Sequence, residues 1–66
     1  MPEKLFFEYD NGKQRFSIYR LGNSYTILSP LIEGKLLLTE KAVELAMKNP
    51  EKMLKVLKNG EYDSYL

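Results

Sequence analysis

Tyr9-Asp10-Asn11-Gly12-Lys13-Gln14 is the stretch that decides how the rest of this chain folds. Its central Asn-Gly pair lies between two segments of alternating apolar residues, which is the strongest short-range signal for a β-hairpin. Asn and Gly reach the positive φ angles of a two-residue type I′ turn at little energetic cost. A two-residue loop predicts paired strands over residues 4–10 and 13–21 and determines which side chains share a sheet face.

The predicted loop places five pairs of residues directly across from each other. From the turn outward they are Asp10–Lys13, Glu8–Arg15, Phe7–Phe16, Phe6–Ser17 and Leu5–Ile18. Opposite charges meet in Asp10–Lys13 and Glu8–Arg15, and each such pair contributes about 0.2–1 kcal/mol. Because side chains alternate between faces, one face is predicted to hold Leu5, Phe7, Tyr9, Phe16 and Ile18, and the other Phe6, Glu8, Ser17 and Tyr19.

A second turn is predicted at Gly22-Asn23. If its loop also has two residues, Ile18 lies opposite Ile27, and residues 24–29 form a third strand. Tyr25 and Ile27 then share the face of Phe7, whereas Thr26 and Leu28 lie on the opposite face. The three strands form an antiparallel meander.

Residues 29–38 allow two interpretations. Pro30 has no N–H donor, so it ends the third strand or lies at a sheet edge. Glu33-Gly34 can then turn the chain into a fourth short strand over 35–38, which we favour. In the alternative, Ser29 caps a single helical turn that begins at Pro30. Leu36-Leu37-Leu38 does not alternate with polar residues, so at least two of these leucines are expected to be buried.

The C-terminal part has the pattern of two short helices. Thr39 is the predicted N-cap of a helix over 40–48, whose first turn holds an acidic residue. Asn49-Pro50 ends this helix, because the residue before a proline avoids the α region, and begins a second helix. Asn59-Gly60 ends that second helix. The apolar residues at helical spacing are Ala42, Val43, Ala46, Met47, Met53, Leu54 and Leu57.

The predicted fold is therefore α+β, in a single small domain over residues 1–66. A three-stranded, or four-stranded, antiparallel meander over about 4–38 is followed by a helical pair over about 40–59. Helices this short are not stable alone, so both are expected to pack on the face of Phe7, the more apolar one. The tail over 61–66 either docks on the body through Tyr62, Tyr65 or Leu66 or frays.

The composition excludes several classes of functional site. The chain has no cysteine and no histidine, which excludes disulfides and structural zinc and removes the usual general bases and thiol nucleophiles. Its four glycines are isolated at predicted turns and caps, so no glycine-rich phosphate loop is present. We therefore predict a protein that is not an enzyme and has no catalytic residues, no metal and no cofactor.

The hydropathy pattern gives no sign of a membrane protein. Leu36-Leu37-Leu38 is far too short an apolar run to cross a bilayer. Met1-Pro2-Glu3-Lys4-Leu5 lacks the charged and then apolar pattern of a secretory signal. A cytoplasmic protein is the default expectation.

The sheet face opposite the helices is the first candidate functional surface. Phe6, Ser17 and Leu28 are predicted to form a row across three strands, with Tyr19 and Thr26 beside it. An apolar centre with a polar rim is typical of a protein interface. Hydrophobic residues scattered on an ordinary surface, or a face covered by a helix or the tail, would give the same sequence pattern. A small domain without disulfides or metal can gain stability by self-association. We expect a small protein-interaction module whose partner is another protein or, as we favour, a second copy of itself in a homo-oligomer. It associates through Phe6, Tyr19, Thr26 and Leu28 or through an edge strand.

A basic set of residues is the second candidate. The alternative function is a small DNA- or RNA-binding regulator that uses Lys13, Arg15, Arg20, Lys48, Lys52 and Lys55. The last three recur at i, i+4 and i+7, as on one helix face. Ten basic and nine acidic residues leave a net charge of only +1, which is low for such a protein. Glu44–Lys48 and Glu51–Lys55 also fit ordinary i, i+4 ion pairs on a solvated helix.

Overall fold

The computed structural model describes residues 3–60, which form four strands followed by two helices. The elements are β1 (Lys4–Asp10), β2 (Arg15–Leu21), β3 (Ser24–Leu28), β4 (Lys35–Leu38), α1 (Glu40–Lys48) and α2 (Pro50–Asn59). The strands form one antiparallel sheet in the order β1-β2-β3-β4. The α+β prediction is confirmed, and β4 is the strand that we favoured over a helical turn. The prediction for Tyr62, Tyr65 and Leu66 lies outside the described residues.

Both helices begin and end where the sequence predicts. The Thr39 side chain accepts a hydrogen bond from the Ala42 N–H at 3.2 Å and caps α1. Asn49 ends α1 with a non-helical backbone, and its side chain accepts from the Lys52 N–H to cap α2. Gly60 closes α2 in the left-handed region, with φ of 71°. These caps satisfy backbone groups that a helix end leaves unpaired.

The two helices pack on one face of the sheet, which we call the inner face; the opposite one is the outer face. The buried core contains Phe16, Ile18, Ile27, Ala42, Ala46, Met53, Leu54, Val56 and Leu57. These are the alternate residues of β2 and β3 and the apolar stripes of both helices. The inner face is therefore the predicted one, and burial of these side chains is the main force that holds helices and sheet together.

The hairpins that join β2, β3 and β4 follow simple alternation. Ile18 pairs with Ile27, and Leu21 pairs with Ser24 across a two-residue loop, as predicted. Ile27 in turn pairs with Leu36. Because directly paired residues share a face, Leu36 also points inward, where it packs against the core as a partly buried side chain.

The first hairpin has a different loop from the predicted one. Asp10 pairs with Arg15 and Tyr9 pairs with Phe16, so the loop has four residues, 11–14. All five predicted pairs across this hairpin, including Asp10–Lys13 and Glu8–Arg15, are therefore wrong. Among the described residues only glycines have positive φ, so Asn11 does not adopt the conformation that a type I′ turn requires.

Side chains explain the wider loop. The Asp10 carboxylate accepts a hydrogen bond from the Gly12 N–H at 2.7 Å. The Asn11 side-chain oxygen accepts from the N–H groups of Lys13 and Gln14 at 2.9 and 2.8 Å. These bonds satisfy the backbone donors of the loop locally, which is the usual reason that Asp and Asn are common in turns.

A β-bulge in β1 changes the face of two residues. The wider loop shifts the register by two positions, which keeps Phe7 on the inner face because side chains alternate with period two. Between Leu5 and Phe7 the register shifts again, so Leu5 pairs with Tyr19 on the outer face. Phe6 is the extra residue of the bulge, and its side chain lies on the inner side. The predictions that placed Leu5 on the inner face and Phe6 on the outer face are both wrong.

Candidate functional site

The outer face carries two rows of side chains, each with one residue from every strand. The first row is Glu8, Ser17, Leu28 and Lys35, and the second is Leu5, Tyr19, Thr26 and Leu37. Leu28 and Leu37 lie diagonally across β3 and β4, with 41% and 66% of their surface exposed. Both helices are on the other side, so within residues 3–60 no helix covers these leucines. The outer face therefore combines exposed leucines with polar and charged side chains.

Three of the four predicted interface residues lie together on this face. Tyr19, Thr26 and Leu28 are where the alternation places them, but Glu8 instead of Phe6 lies opposite Ser17. The Phe6 ring meets the Tyr25 ring edge-on, with centroids 5.1 Å apart.

Tyr25 shows which side of the sheet Phe6 occupies. It lines a cleft of about 250 Å³ together with Val43 and Met47 of α1. Phe6 therefore lies on the helix side of the molecule and is not part of the predicted row with Ser17 and Leu28.

An ion pair crosses the outer face. The Lys35 ammonium lies 2.9 Å from a Glu3 carboxylate oxygen and 5.8 Å from the centre of the Tyr19 ring. The Thr26 hydroxyl donates to the other Glu3 oxygen at 3.3 Å. The hydrogen bond from Lys35, helped by the charge of its ammonium and by Thr26, holds the pKa of Glu3 below its ordinary value against a partial desolvation that raises it. Lys35 is thus drawn over the sheet from its place on β4.

Sequence reasoning missed both Leu37 and this ion pair. Leu37 could have been found by applying period two to β4, because Leu36 and Leu38 pack against the core and the residue between them must point outward. The pairing of Glu3 with Lys35 leaves no local signal, since the two residues are 32 positions apart.

The two edges of the sheet differ in how they are protected. β1 is interrupted by the bulge and carries Lys4, Glu8 and Asp10, all of which discourage pairing with another strand. β4 keeps a regular register with β3 and has Lys35 as its one charged residue. An edge strand presents unpaired N–H and C=O groups on alternate residues, so β4 is the more open of the two edges.

The predicted basic stripe is not a single helix face. Lys48 lies in the last turn of α1, whereas Lys52 and Lys55 lie in α2 beyond the non-helical Asn49. The i, i+4, i+7 spacing therefore spans two helices, and the inference from that spacing is wrong. The Lys48 ammonium pairs with Glu44 at 2.8 Å, as the i, i+4 spacing predicts.

The hairpin cations are also dispersed. Lys13 and Arg15 line a cleft of about 190 Å³ beside the first loop, together with Asp10. Arg20 lies at the other end of β2, where its Nε donates to the Gly22 carbonyl at 2.8 Å and its guanidinium lies over Tyr25 at 5.7 Å. The structure brings Lys13 and Arg15 together and leaves Arg20 on the inner side.

The described residues contain no group of three or more acidic, cysteine or histidine side chains that could hold a metal ion. Neither α1 nor α2, the helices found within residues 3–60, has the length and apolar character needed to cross a membrane. Comparison with known proteins gives no match: no protein-family model, no curated protein and no solved structure is significantly similar to this chain. Residues 3–60 form a small α+β domain in which both helices lie on one sheet face and leave the outer face without a helix.

Proposed function

We propose that this protein is a non-enzymatic interaction module that self-associates through the surface around Leu37, where the outer face meets the β4 edge. The observation that carries the proposal is the 66% exposure of Leu37 on the outer face, which neither α1 nor α2 covers, with the exposed Leu28 diagonally across from it. An exposed leucine next to an open strand edge favours contact with another protein surface.

A second copy of the chain is the partner that the chemistry favours. The chain has 66 residues and no cysteine, so its small core lacks the covalent links that often stabilise domains of this size. Its net charge of +1 creates little long-range repulsion between copies. Burial of apolar surface in a homodimer adds to the stability of each subunit by mass action.

The mass in solution tests this proposal. Sedimentation equilibrium at several hundred micromolar is expected to give the mass of a dimer for the natural chain and of one chain for Leu37→Glu, because two carboxylates would be buried against apolar surface. Met47→Glu is the matched control, since Met47 is 50% exposed on α1, on the helix side. This control should remain a dimer.

Two results would contradict self-association through this surface. One is a single-chain mass for the natural protein at the highest concentration. The other is dissociation of Met47→Glu to the same extent as Leu37→Glu, with both variants folded by circular dichroism.

Nucleic-acid binding is the competing outcome. If Lys13, Arg15 and the helix lysines contact phosphates, fluorescence anisotropy with DNA and RNA oligonucleotides at low salt would show binding that weakens steeply as salt is added. We expect no binding beyond that of a control with similar charge, because the cations lie on separate elements and Lys48 is paired with Glu44.

A further inference from the structure

We infer that two copies of this chain pair through their β4 edges, antiparallel about a two-fold axis at Leu37, to form one continuous eight-stranded sheet. The inference rests on the proposed self-association and specifies its geometry. Each copy contributes a four-stranded sheet in which β4 is an edge. Pairing of two edges extends the hydrogen-bonded ladder without a change in either fold.

The choice of β4 follows from the contrast between the two edges. The bulge at Phe6 breaks the ladder of β1 and twists that edge, which is how natural sheets prevent pairing. β4 has no register shift against β3 and consists of Lys35 and three leucines. A regular, apolar edge is the arrangement that most readily accepts another strand.

The position of the Lys35 side chain removes the charge that would otherwise keep another strand from pairing with the β4 edge. A lysine on an edge strand normally keeps other strands away, because its charge would be desolvated on pairing. Here the ammonium turns toward the middle of the sheet, where it lies 2.9 Å from Glu3 and over the Tyr19 ring. Its charge is compensated within its own subunit and is held away from the edge.

The sequence of β4 is complementary to itself in the antiparallel direction. When Leu37 lies opposite the partner's Leu37 on the outer side, Leu36 lies opposite the partner's Leu38 on the inner side. Leucine therefore meets leucine on both faces.

Cysteine cross-linking tests this geometry, because the natural chain has no cysteine. Directly opposite residues have Cβ atoms about 4.5–5.5 Å apart, close enough for a disulfide after small adjustments. In Leu37→Cys, diamide should oxidise the two opposed thiols to one disulfide across the axis. In Leu28→Cys the two thiols would lie at least three strand spacings apart, more than about 14 Å, which is too far. The cross-linking rate of Met47→Cys gives the rate that random collisions between molecules produce.

The expected result is cross-linking of Leu37→Cys at least about tenfold faster than that of Met47→Cys, with Leu28→Cys at the collision rate. If the natural chain is a dimer but Leu28→Cys cross-links and Leu37→Cys does not, the edge pairing is overturned and self-association stands. The edge pairing is likewise overturned if all three variants react at the collision rate while the dimer persists. A single-chain mass for the natural protein removes the edge pairing and the proposed function together.

Discussion

Tyr9 and Glu51 join the first hairpin to the start of the second helix. The Tyr9 hydroxyl donates a hydrogen bond to Glu51 Oε2, and the Asn11 side-chain amide donates to the same oxygen at 3.1 Å. Glu51 lies in the first turn of α2, where a carboxylate also interacts favourably with the helix dipole. These contacts favour the four-residue loop. In this loop the Asn11 side-chain oxygen accepts hydrogen bonds from the loop backbone, while its nitrogen donates a hydrogen bond to Glu51 of α2.

The Tyr9–Glu51 contact should make stability depend on pH at both extremes. The hydrogen bond from Tyr9, followed by that from Asn11, lowers the pKa of Glu51 from 4.5, and the bond to Glu51 raises the pKa of Tyr9 above 10.0. The contribution of Glu51 to the free energy of unfolding is therefore fully present above pH 4.5, and it is lost as the pH falls through the lowered pKa. The Tyr9 contribution is full below pH 10.0 and is lost as the pH rises through the raised pKa.

Urea unfolding from pH 3 to 11 at constant protein concentration measures this dependence. Tyr9→Phe should abolish the loss of stability at alkaline pH that Tyr9 causes. It should also weaken the loss of stability at acid pH, because Glu51 then keeps only its hydrogen bond from Asn11. Tyr19→Phe makes the same chemical change on the outer face and should leave both losses in place. An unchanged pH profile for Tyr9→Phe would show that the contact does not operate in solution.

Asn11→Asp should destabilise the fold at pH 7 and less so near pH 4. Aspartate keeps the oxygen that accepts from Lys13 and Gln14, but it loses the donor to Glu51 and places a second carboxylate against it. Like charges raise each other's pKa, so protonation near pH 4 relieves the repulsion. Thermal unfolding at the two pH values measures the difference.

Asn23→Asp, in the second loop, is the matched control for this substitution. It changes the same amide to a carboxylate at a site without the Glu51 contact. An equal pH dependence of the two variants would mean that the repulsion at position 11 is absent.

Phe6→Ala should cost more stability than Leu5→Ala. Phe6, 39% exposed, packs edge-on against Tyr25, and loss of such an aromatic contact with its buried area costs about 1–2 kcal/mol. Leu5 is 55% exposed on the outer face, so its truncation should change the free energy of unfolding by about 0.5 kcal/mol or less. Urea unfolding of the two variants makes the comparison, and the reverse order would show that the bulge does not form and that simple alternation continues through β1.

Most of the secondary structure could be predicted because its signals are local. Thr39 and Asn49 cap helices through backbone groups three residues away, and Gly22-Asn23 closes a hairpin through its own backbone preferences. The alternation of β2 and β3 was equally reliable, because a one-residue slip would have moved Ile18 and Ile27 from the core to water. For the candidate surface, the same logic correctly placed Tyr19, Thr26 and Leu28.

The sequence alone thus determined the α+β class, the bounds of both helices and the side of the sheet that they cover, since each depends on neighbours in the chain or on strict periodicity. The tertiary structure alone decided the loop at residues 11–14, the bulge at Phe6 and the position of Lys35. Each of these involves a residue far away in the chain: Glu51, which binds Asn11 in addition to the local bonds of the loop, Tyr25 for Phe6 and Glu3 for Lys35. Such contacts exist only once the helices and strands have packed, which is why no local pattern indicated them.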